Sequence, residues 1–497
     1  MDNESIASSA SRGGLWFAAT SFVGQIISWV FTFYVIRLLD PKDFGLMTMA
    51  SLLTAYLQMF SELGLGAAII QRSTVDQPSL SSAFWLVLGL GIFMAACTLG
   101  LAYPTAAIFS NTELIPVTQL ISILFISGAL STIPYHLLAR NFEFKKIGII
   151  NLVGMLVSSI VSVIMALHGY GVYALIWTTI TLSALKGALF FLASRWSPTL
   201  HFSFAEVKPY LRYGIVMALS GTSLKLYQTL DKLVIGRFFG ATPLGLYQNA
   251  SSISSMPLDK IWPVFQQILF PLFSRLREDQ AQCNRVYLET LKHYLLIVSP
   301  IYLGSAIVAD DLVLTLLGEK WIHLSPLLQI FCVAKIFQML SSYHVVLDNT
   351  TGRHKSALAF NFASALLIPA LMWVGSGFSF DGAMLPWITA YPLLCISWII
   401  WSLRKNNIPL LQYASSVYQG FQSAIIMAIG LVAYKMVNPL LNIEAGLYRL
   451  IIQIVLGGMF FSVAGLLFQR PLLTSAIRFV LNRGSNDVVT SDLSNND

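Results

Sequence analysis

Runs of about twenty consecutive apolar residues recur along nearly the whole chain, and this feature restricts the possible folds more than any other. As a helix, such a run crosses the ~30 Å hydrocarbon core of a bilayer and satisfies its own backbone hydrogen bonds where no water is available. Of the 497 residues, 56% are hydrophobic and 11% are charged, whereas an ordinary soluble domain has about 25% charged residues. The sequence therefore predicts an all-α integral membrane protein.

The lengths of these runs predict about fourteen transmembrane helices. The predicted spans are residues 15–36, 46–69, 81–103, 115–137, 147–167, 171–193, 213–235, 244–271, 292–317, 325–347, 356–375, 380–402, 416–437 and 446–468. The eighth contains Pro257, Pro263 and Pro271, and prolines free backbone carbonyls in a helix. We therefore expect this span to be bent or locally unwound.

Basic residues are distributed unevenly between the two sides of the membrane that these spans define. With the N-terminus in the cytoplasm, the outer loops hold only six of them, namely Arg37, Lys42, Arg237, Lys320, Lys435 and Arg449. The inner loops and tails hold many more, so the positive-inside rule predicts that both termini are cytoplasmic. The net charge of +7 reflects this distribution, and we expect no nucleic-acid partner.

One short pattern occurs twice, 200 residues apart. The stretch RLLDPKDFGLM begins at Arg37 and RFFGATPLGLY begins at Arg237, so that Arg37 corresponds to Arg237 and Gly45 to Gly245. Each copy has a proline within the turn between two apolar runs. The pattern predicts that the two turns are the same outer hairpin in two copies of one helical bundle.

Further matches extend the repeat. The segment KKIGIINLVG from Lys145 resembles HKSALAFNFA from His354 at an offset near 210, and Trp177 then meets Trp387. Six spans separate each element from its counterpart, so the halves run in the same direction, as in transporters built from parallel repeats. The alternative is that all apolar helices look alike. We predict two pseudo-symmetric six-helix bundles around a central cavity, residues 1–205 and 206–410, two additional transmembrane helices at 411–470, and a disordered cytoplasmic tail at 471–497.

The duplicated turn also carries a family resemblance. The run RLLDPKDFGLMTMASLLTAYLQMFSELGLGAAIIQR, together with LDKLVIGRFFGATPLGLYQNASSI and FPLFSRLRED, is similar to polysaccharide-exporting members of the multidrug/oligosaccharidyl-lipid/polysaccharide (MOP) flippase superfamily. Within it, the chain most resembles the colanic-acid and O-antigen type translocases of lipopolysaccharide biosynthesis. The resemblance implies translocation of an undecaprenyl-pyrophosphate-linked oligosaccharide across the bacterial inner membrane. It supplies no catalytic motif.

Several lysines lie within predicted spans, where a charge costs ~2.5 to 3.5 kcal/mol on insertion scales. Lys225 is near the middle of the seventh span, Lys335 is central in the tenth, and Lys186 is in the sixth. Gln228 and Lys232 continue the face of Lys225, and Gln25 occupies the position of Lys225 in the first copy. These residues predict a cationic cavity for a lipid pyrophosphate or acidic sugars. Alternatively, each lysine snorkels to an interface or neutralises a buried carboxylate.

Two carboxylates are candidates for coupling or gating. Glu62 lies near the cytoplasmic end of the second span, where it could bind a proton or pair with Arg72 or a basic loop. Asp231 could coordinate a coupling ion or partner a lysine. The choice between the functional and structural roles stays open for both.

Two rival functions remain to be weighed. A membrane glycosyl polymerase or transferase needs a set of catalytic side chains held close together, but HExxH, GxSxG and Walker motifs are absent. The outer acidic residues are expected to be solvated loop charges; they are Asp310, Asp311 and Glu319. The four cysteines have no CxxC spacing, so we predict a transporter without cofactor or metal. A cation-coupled multidrug exporter of the same superfamily is the second alternative.

Expected partners are the lipid-linked oligosaccharide, membrane lipid and, in the cell, polysaccharide polymerase machinery.

Overall fold

The computed structural model describes residues 24–25, 27–61, 76–205, 207–208, 229–276, 278–441, 446–472 and 474. Helices account for most of this part of the chain, and no strand occurs in it. The predicted all-α class is therefore confirmed for the described residues.

The first compact unit comprises the described residues up to Asn249 together with Ser376–Phe380. Its helices are α1 (Ile27–Leu38), α2 (Pro41–Ser61), α3 (Gln77–Phe109), α4 (Leu114–Ile121), α5 (Ile123–Arg140), α6 (Phe144–Leu167), α7 (Val172–Ser194) and α8 (Leu230–Phe239). Helix α7 packs against α5 and α6, and α2 packs against α3 and α4. Apolar side chains fill these contacts, as where Ala166 of α6 and Ala174 of α7 are buried in one cluster.

Helix α9 (Ala241–Arg275) continues from the first unit into the second. It is one unbroken helix across Pro257, Pro263 and Pro271, so local unwinding does not occur, and the bend that was the other expectation for this span stays a prediction. A proline removes only one backbone donor and leaves the rest of the hydrogen-bond ladder in place. The neighbouring turns can therefore preserve the helix.

The second unit comprises Ala250–Gly375 and the described residues from Asp381 onwards. After α9 its helices are α10 (Gln280–Ile307), α11 (Ala309–Leu316), a 3-10 turn (Glu319–Leu324), α12 (Ser325–Thr350), α13 (His354–Ser376), α14 (Phe380–Ile388), α15 (Ala390–Lys405), α16 (Leu410–Leu441) and α17 (Leu447–Phe468). Helix α10 packs along α16 and against α12, and α16 packs against α17. This division follows packing rather than duplication, so the predicted boundary at residue 205 stays a prediction.

Nine helical segments in the described part of the chain are long and apolar enough to cross a membrane, and α10 with α11 makes a tenth if that pair, bent by 76°, is one span. Helices α1, α2, α8 and α9 overlap the four other predicted spans, of which the first, second and seventh lie partly outside the described residues. A multi-span membrane protein is therefore established. The number fourteen stays a prediction.

Candidate functional site

The duplicated turn has nearly the same helix boundaries in both copies. Helix α1 ends at Leu38 and α2 begins at Pro41, while α8 ends at Phe239 and α9 begins at Ala241. The second sequence match, between the segments that start at Lys145 and His354, also falls at the beginnings of helices, because α6 begins at Phe144 and α13 begins at His354. The offsets of 200 and near 210 found in the sequence therefore recur in the local helix boundaries.

The two turns also contact each other through their glycines. A Cβ added to Gly45 would lie 2.5 Å from the carbonyl carbon of Ala241, and one added to Gly245 would lie 2.7 Å from the carbonyl carbon of Pro41. Pro41 and Ala241 are themselves 200 residues apart. Each glycine thus admits the backbone of the other copy's first helical turn, and the contact is reciprocal.

Asp231 lies close to this contact, in the first turn of α8. Its side chain is 8% exposed, and the Tyr247 hydroxyl donates a hydrogen bond of 2.6 Å to its Oδ2. Oδ1 is buried and accepts no hydrogen bond from the described residues. Asp231 therefore has a tyrosine partner from α9, and its neighbour Lys232 is half-buried. The pairing of Asp231 with a lysine stays a prediction.

Lys186 is half-buried on α7, against α6. A Cβ on Gly154 would lie 3.1 Å from its Cγ and 3.6 Å from its Cε, so the stem of Lys186 runs over this glycine. Gly24, next to Gln25, contacts Met155 of the same helix. The structure therefore places Lys186 and the chain at Gln25 along one stretch of α6.

Lys335 is half-buried in α12 of the second unit. Its Nζ donates a hydrogen bond of 2.7 Å to Oε1 of Gln338, one turn further along. Lys225, Gln228 and Glu62 lie outside the described residues, so their assigned roles stay predictions.

The sequence reasoning missed a buried polar cluster at one end of α12. Asp348 is 0% exposed; Ser402 donates to its Oδ1 at 2.5 Å, Asn406 donates to the same oxygen at 3.3 Å, and Ser356 donates to Oδ2. These contacts join α12, α13 and α15. In the sequence, Asp348 looks like any polar residue at the end of a span. Only the spacing of Ser402 and Asn406, one helical turn apart, indicates that two polar side chains share one face of a helix.

Of the three acidic residues expected to be solvated, Glu319 is exposed and Asp310 is 40% exposed, whereas Asp311 is buried, and both aspartates pair with the last two helices. Asp311, with a side chain 1% exposed, pairs with Arg449 at 2.5 Å and accepts a hydrogen bond of 2.9 Å from Gln453. Asp310 is 2.6 Å from Lys435. Periodicity could not reveal this, because the bend before α11 turns these carboxylates towards α16 and α17.

No group of three or more histidine, cysteine or carboxylate side chains within the described ranges is arranged to hold a metal ion. The features brought together in the first unit are therefore a reciprocal glycine contact, a buried carboxylate with one free oxygen, and a lysine lying along α6. In the second unit they are the Lys335–Gln338 pair and the Asp348 cluster.

A family model described as polysaccharide biosynthesis protein matches residues 34–326, more than half of the chain. The chain belongs to this family. Among curated relatives, the lipopolysaccharide biosynthesis protein WzxC of Escherichia coli (strain K12) is 28% identical over 72% of this chain and 74% of its own length. The succinoglycan biosynthesis transport protein ExoT of Rhizobium meliloti (strain 1021) is 22% identical over 88% of each chain. The teichuronic acid biosynthesis protein TuaB of Bacillus subtilis (strain 168) is 24% identical over 77% of this chain and 79% of its own.

Two solved structures share the fold of this polysaccharide biosynthesis protein. The lipid II flippase MurJ, in an inward closed conformation, superposes with a TM-score of 0.71 at 14% identity, over 92% of this chain and 100% of MurJ. An inward-facing multidrug resistance MATE family transporter of the MOP superfamily gives a TM-score of 0.58 at 12% identity, over 76% of this chain and 94% of its own. The resemblance to polysaccharide-exporting proteins found in the sequence is confirmed by the family match, and the two solved structures show a MurJ-like and MATE-like helical fold.

Proposed function

We propose that this protein is a flippase that moves undecaprenyl-pyrophosphate-linked oligosaccharide repeat units across the bacterial inner membrane, for exopolysaccharide, capsule or O-antigen biosynthesis. The observation that carries the proposal is membership of the polysaccharide biosynthesis family in a chain with the fold of a lipid II flippase. Relatives named for lipopolysaccharide, succinoglycan and teichuronic acid biosynthesis support the same class of cargo. The protein acts as a transporter and not as an enzyme.

Transport occurs by alternating access between two pseudo-symmetric six-helix bundles. The support is local: the duplicated turns share their helix boundaries, and their glycines make reciprocal contacts at positions 200 residues apart. Parallel repeats related in this way can rock about a central site. The headgroup crosses through a hydrated cavity while the polyprenyl tail stays in lipid, so only the polar part needs shielding from the hydrocarbon.

The cavity binds the anionic headgroup through Lys225, Lys335 and Lys186, with Gln25, Gln228 and Lys232 as further polar contacts. Each ammonium group can replace water around a pyrophosphate with charge-assisted hydrogen bonds. Half-burial of Lys186, Lys232 and Lys335 supports this role. A lysine in contact with hydrocarbon would instead extend to the interface.

Asp231 and Glu62 are the candidates for coupling or gating. The buried free oxygen of Asp231 gives it capacity for a proton or cation beyond the Tyr247 hydrogen bond. A buried carboxylate is costly unless it is paired or protonated, and this allows its charge state to affect the position of α8. Glu62 acts at the cytoplasmic end of its span, as a gate.

The inner membrane location follows the relatives and the many apolar helices, and we place both termini in the cytoplasm on the distribution of basic residues. The partners are membrane lipid, the lipid-linked oligosaccharide and the polysaccharide polymerase machinery that consumes the flipped product.

Deletion of the gene tests the function. The deletion strain is expected to lose surface polysaccharide and to accumulate a lipid-linked glycan on the cytoplasmic side, while its tolerance of cationic drugs stays unchanged. Complementation with the wild-type chain should restore the polymer. Normal polysaccharide together with lost drug tolerance would replace the proposal with a drug exporter.

A further inference from the structure

A cleft of about 740 Å³ opens in the second unit between the beginnings of α10 and α16. Arg285, Glu289 and Lys292 line it from α10, while Gln412 and Ser415 line it from α16. None of these residues belongs to the predicted transport cavity. The cleft therefore requires an explanation of its own.

The packing of the two helices forms the cleft. Helices α10 and α16 pack along each other, and they approach closely at Gly420, where an added Cβ would lie 2.5 Å from Cβ of Leu295. The cleft lies on the N-terminal side of this contact, where Nδ2 of its lining residue Asn284 donates a hydrogen bond of 2.8 Å to the carbonyl of Asn406.

The cleft lies where a membrane boundary is expected. The apolar stretch of α16 that can span a bilayer is Leu410–Asn438, and the lining residues on this side of the cleft belong to its first two turns and the preceding loop. Arg404 and Lys405 precede that loop, so the positive-inside rule puts this end at the cytoplasmic leaflet. Beside the cleft, Leu411 is 83% exposed, and this apolar surface suits acyl chains.

The charges in the cleft fit a single anion. Nζ of Lys292 is 2.6 Å from Oε1 of Glu289, so these two charges neutralise each other. Arg285 remains as an exposed guanidinium on the same wall. A guanidinium can donate two parallel hydrogen bonds to phosphate oxygens, while the Ser415 hydroxyl and Gln412 amide can bind a polar headgroup.

We propose that this cleft binds an anionic glycerophospholipid of the cytoplasmic leaflet, with its phosphodiester on Arg285 and its acyl chains along α16. Basic pockets between the cytoplasmic ends of membrane helices bind lipid headgroups of this kind. The net charge of the cleft is +1 from two cations and one carboxylate, which favours phosphatidylglycerol over zwitterionic phosphatidylethanolamine. The bound lipid is a structural ligand, distinct from the transported cargo.

The test uses the full chain purified in detergent and titrated with phosphatidylglycerol, with the apparent melting temperature as the measured quantity. Phosphatidylglycerol is expected to raise the melting temperature of wild type more than phosphatidylethanolamine does. Arg285→Gln is expected to need roughly tenfold more phosphatidylglycerol for the same rise in melting temperature. Arg404→Gln, which removes an exposed cation outside the cleft, is the matched control and should respond as wild type does. Without lipid, all three should melt at similar temperatures.

A second variant blocks the cleft without altering its charge. Ser415→Trp places a large ring in the space for the headgroup and should also abolish the selective response to phosphatidylglycerol. An equal response of Arg285→Gln and Arg404→Gln would overturn the proposal, as would equal stabilisation by both lipids. Equal stabilisation by soluble glycerol phosphate would show a phosphate site rather than a lipid site. None of these outcomes depends on flippase activity.

Discussion

Replacing Gly45 with alanine places a methyl group into the backbone of the other copy of the duplicated turn. The added Cβ would lie 2.5 Å from the carbonyl carbon of Ala241 and 2.9 Å from its Cα. Gly245→Ala makes the equivalent clash with Pro41, at 2.7 Å from its carbonyl carbon. Both alanines therefore act on one contact, between the first turns of α2 and α9.

The distances set the size of the effect. Carbon atoms pack at roughly 3.5 to 4.0 Å, and the carbonyl oxygens of Ala241 and Pro41 lie even closer to the added Cβ atoms than the carbonyl carbons do. The two first turns must therefore separate by more than about 1 Å to admit one methyl group. Overpacking of this kind costs about 1 to 3 kcal/mol, and a rigid backbone neighbour, which cannot rotate aside, favours the upper value. Once one alanine has separated the turns, the second meets less resistance. The double variant is therefore expected to lose about 1 to 2 kcal/mol less than the sum of the single variants.

The assay is thermal unfolding of the purified chain, with surface polysaccharide measured in complemented cells. Gly100→Ala and Gly128→Ala are matched controls, because an added Cβ there has no neighbouring atom within 4 Å. Alanine favours a helix over glycine by about 0.5 to 1 kcal/mol, so the controls should be slightly stabilised. Equal melting temperatures of Gly45→Ala and Gly100→Ala, or strictly additive losses in the double variant, would refute a reciprocal glycine contact.

Three further predictions follow from the described contacts. Asp311→Asn leaves Arg449 without its buried partner and should lower the free energy of unfolding by about 3 kcal/mol. Asp310→Asn, at the exposed pair with Lys435, should lower it by about 1 kcal/mol or less. Thermal melts of both variants measure the difference, and equal losses would contradict the prediction. Asp231→Asn retains an oxygen that accepts the hydrogen bond of the Tyr247 hydroxyl, so the melting temperature should stay close to that of wild type. Export should nevertheless be lost, because the variant lacks the charge proposed for coupling. Export at wild-type levels would leave Asp231 a structural role only. Lys335→Met should abolish export while its abundance in the membrane stays unchanged, and Lys335→Arg should retain part of the export, because binding in the cavity needs the positive charge. Full export by Lys335→Met would remove this residue from the binding site.

Sequence patterns predicted the fold well where hydrophobic periodicity was strong. The all-α class and the helices on either side of Gly45 and Gly245 could be read from apolar runs and turn residues. The recurrence of those turns even anticipated positions that the structure brings into contact. Repeated sequence can indicate a shared local structure, but it cannot show that the two copies pack against each other.

The side-chain partners were harder to predict because they depend on which helices pack together. Asp311 was expected in solvent, yet it is buried against Arg449, more than a hundred residues later in the chain. Asp348 gave no signal, since its donors Ser356 and Ser402 come from two other helices. Tyr247, the partner of Asp231, comes from the following helix, whereas the sequence pointed to a coupling ion or a lysine.

The most direct test of the central claim is translocation by the purified chain in liposomes that contain the lipid-linked oligosaccharide. A membrane-impermeant glycan-modifying enzyme added outside reports which molecules have reached the outer leaflet. The account predicts that wild-type proteoliposomes expose their whole pool of glycan over time, whereas the Lys225→Ala and Lys335→Ala double variant and empty liposomes expose only the glycans initially outside. Equal exposure in wild-type and empty liposomes would contradict the claim that this chain is a flippase.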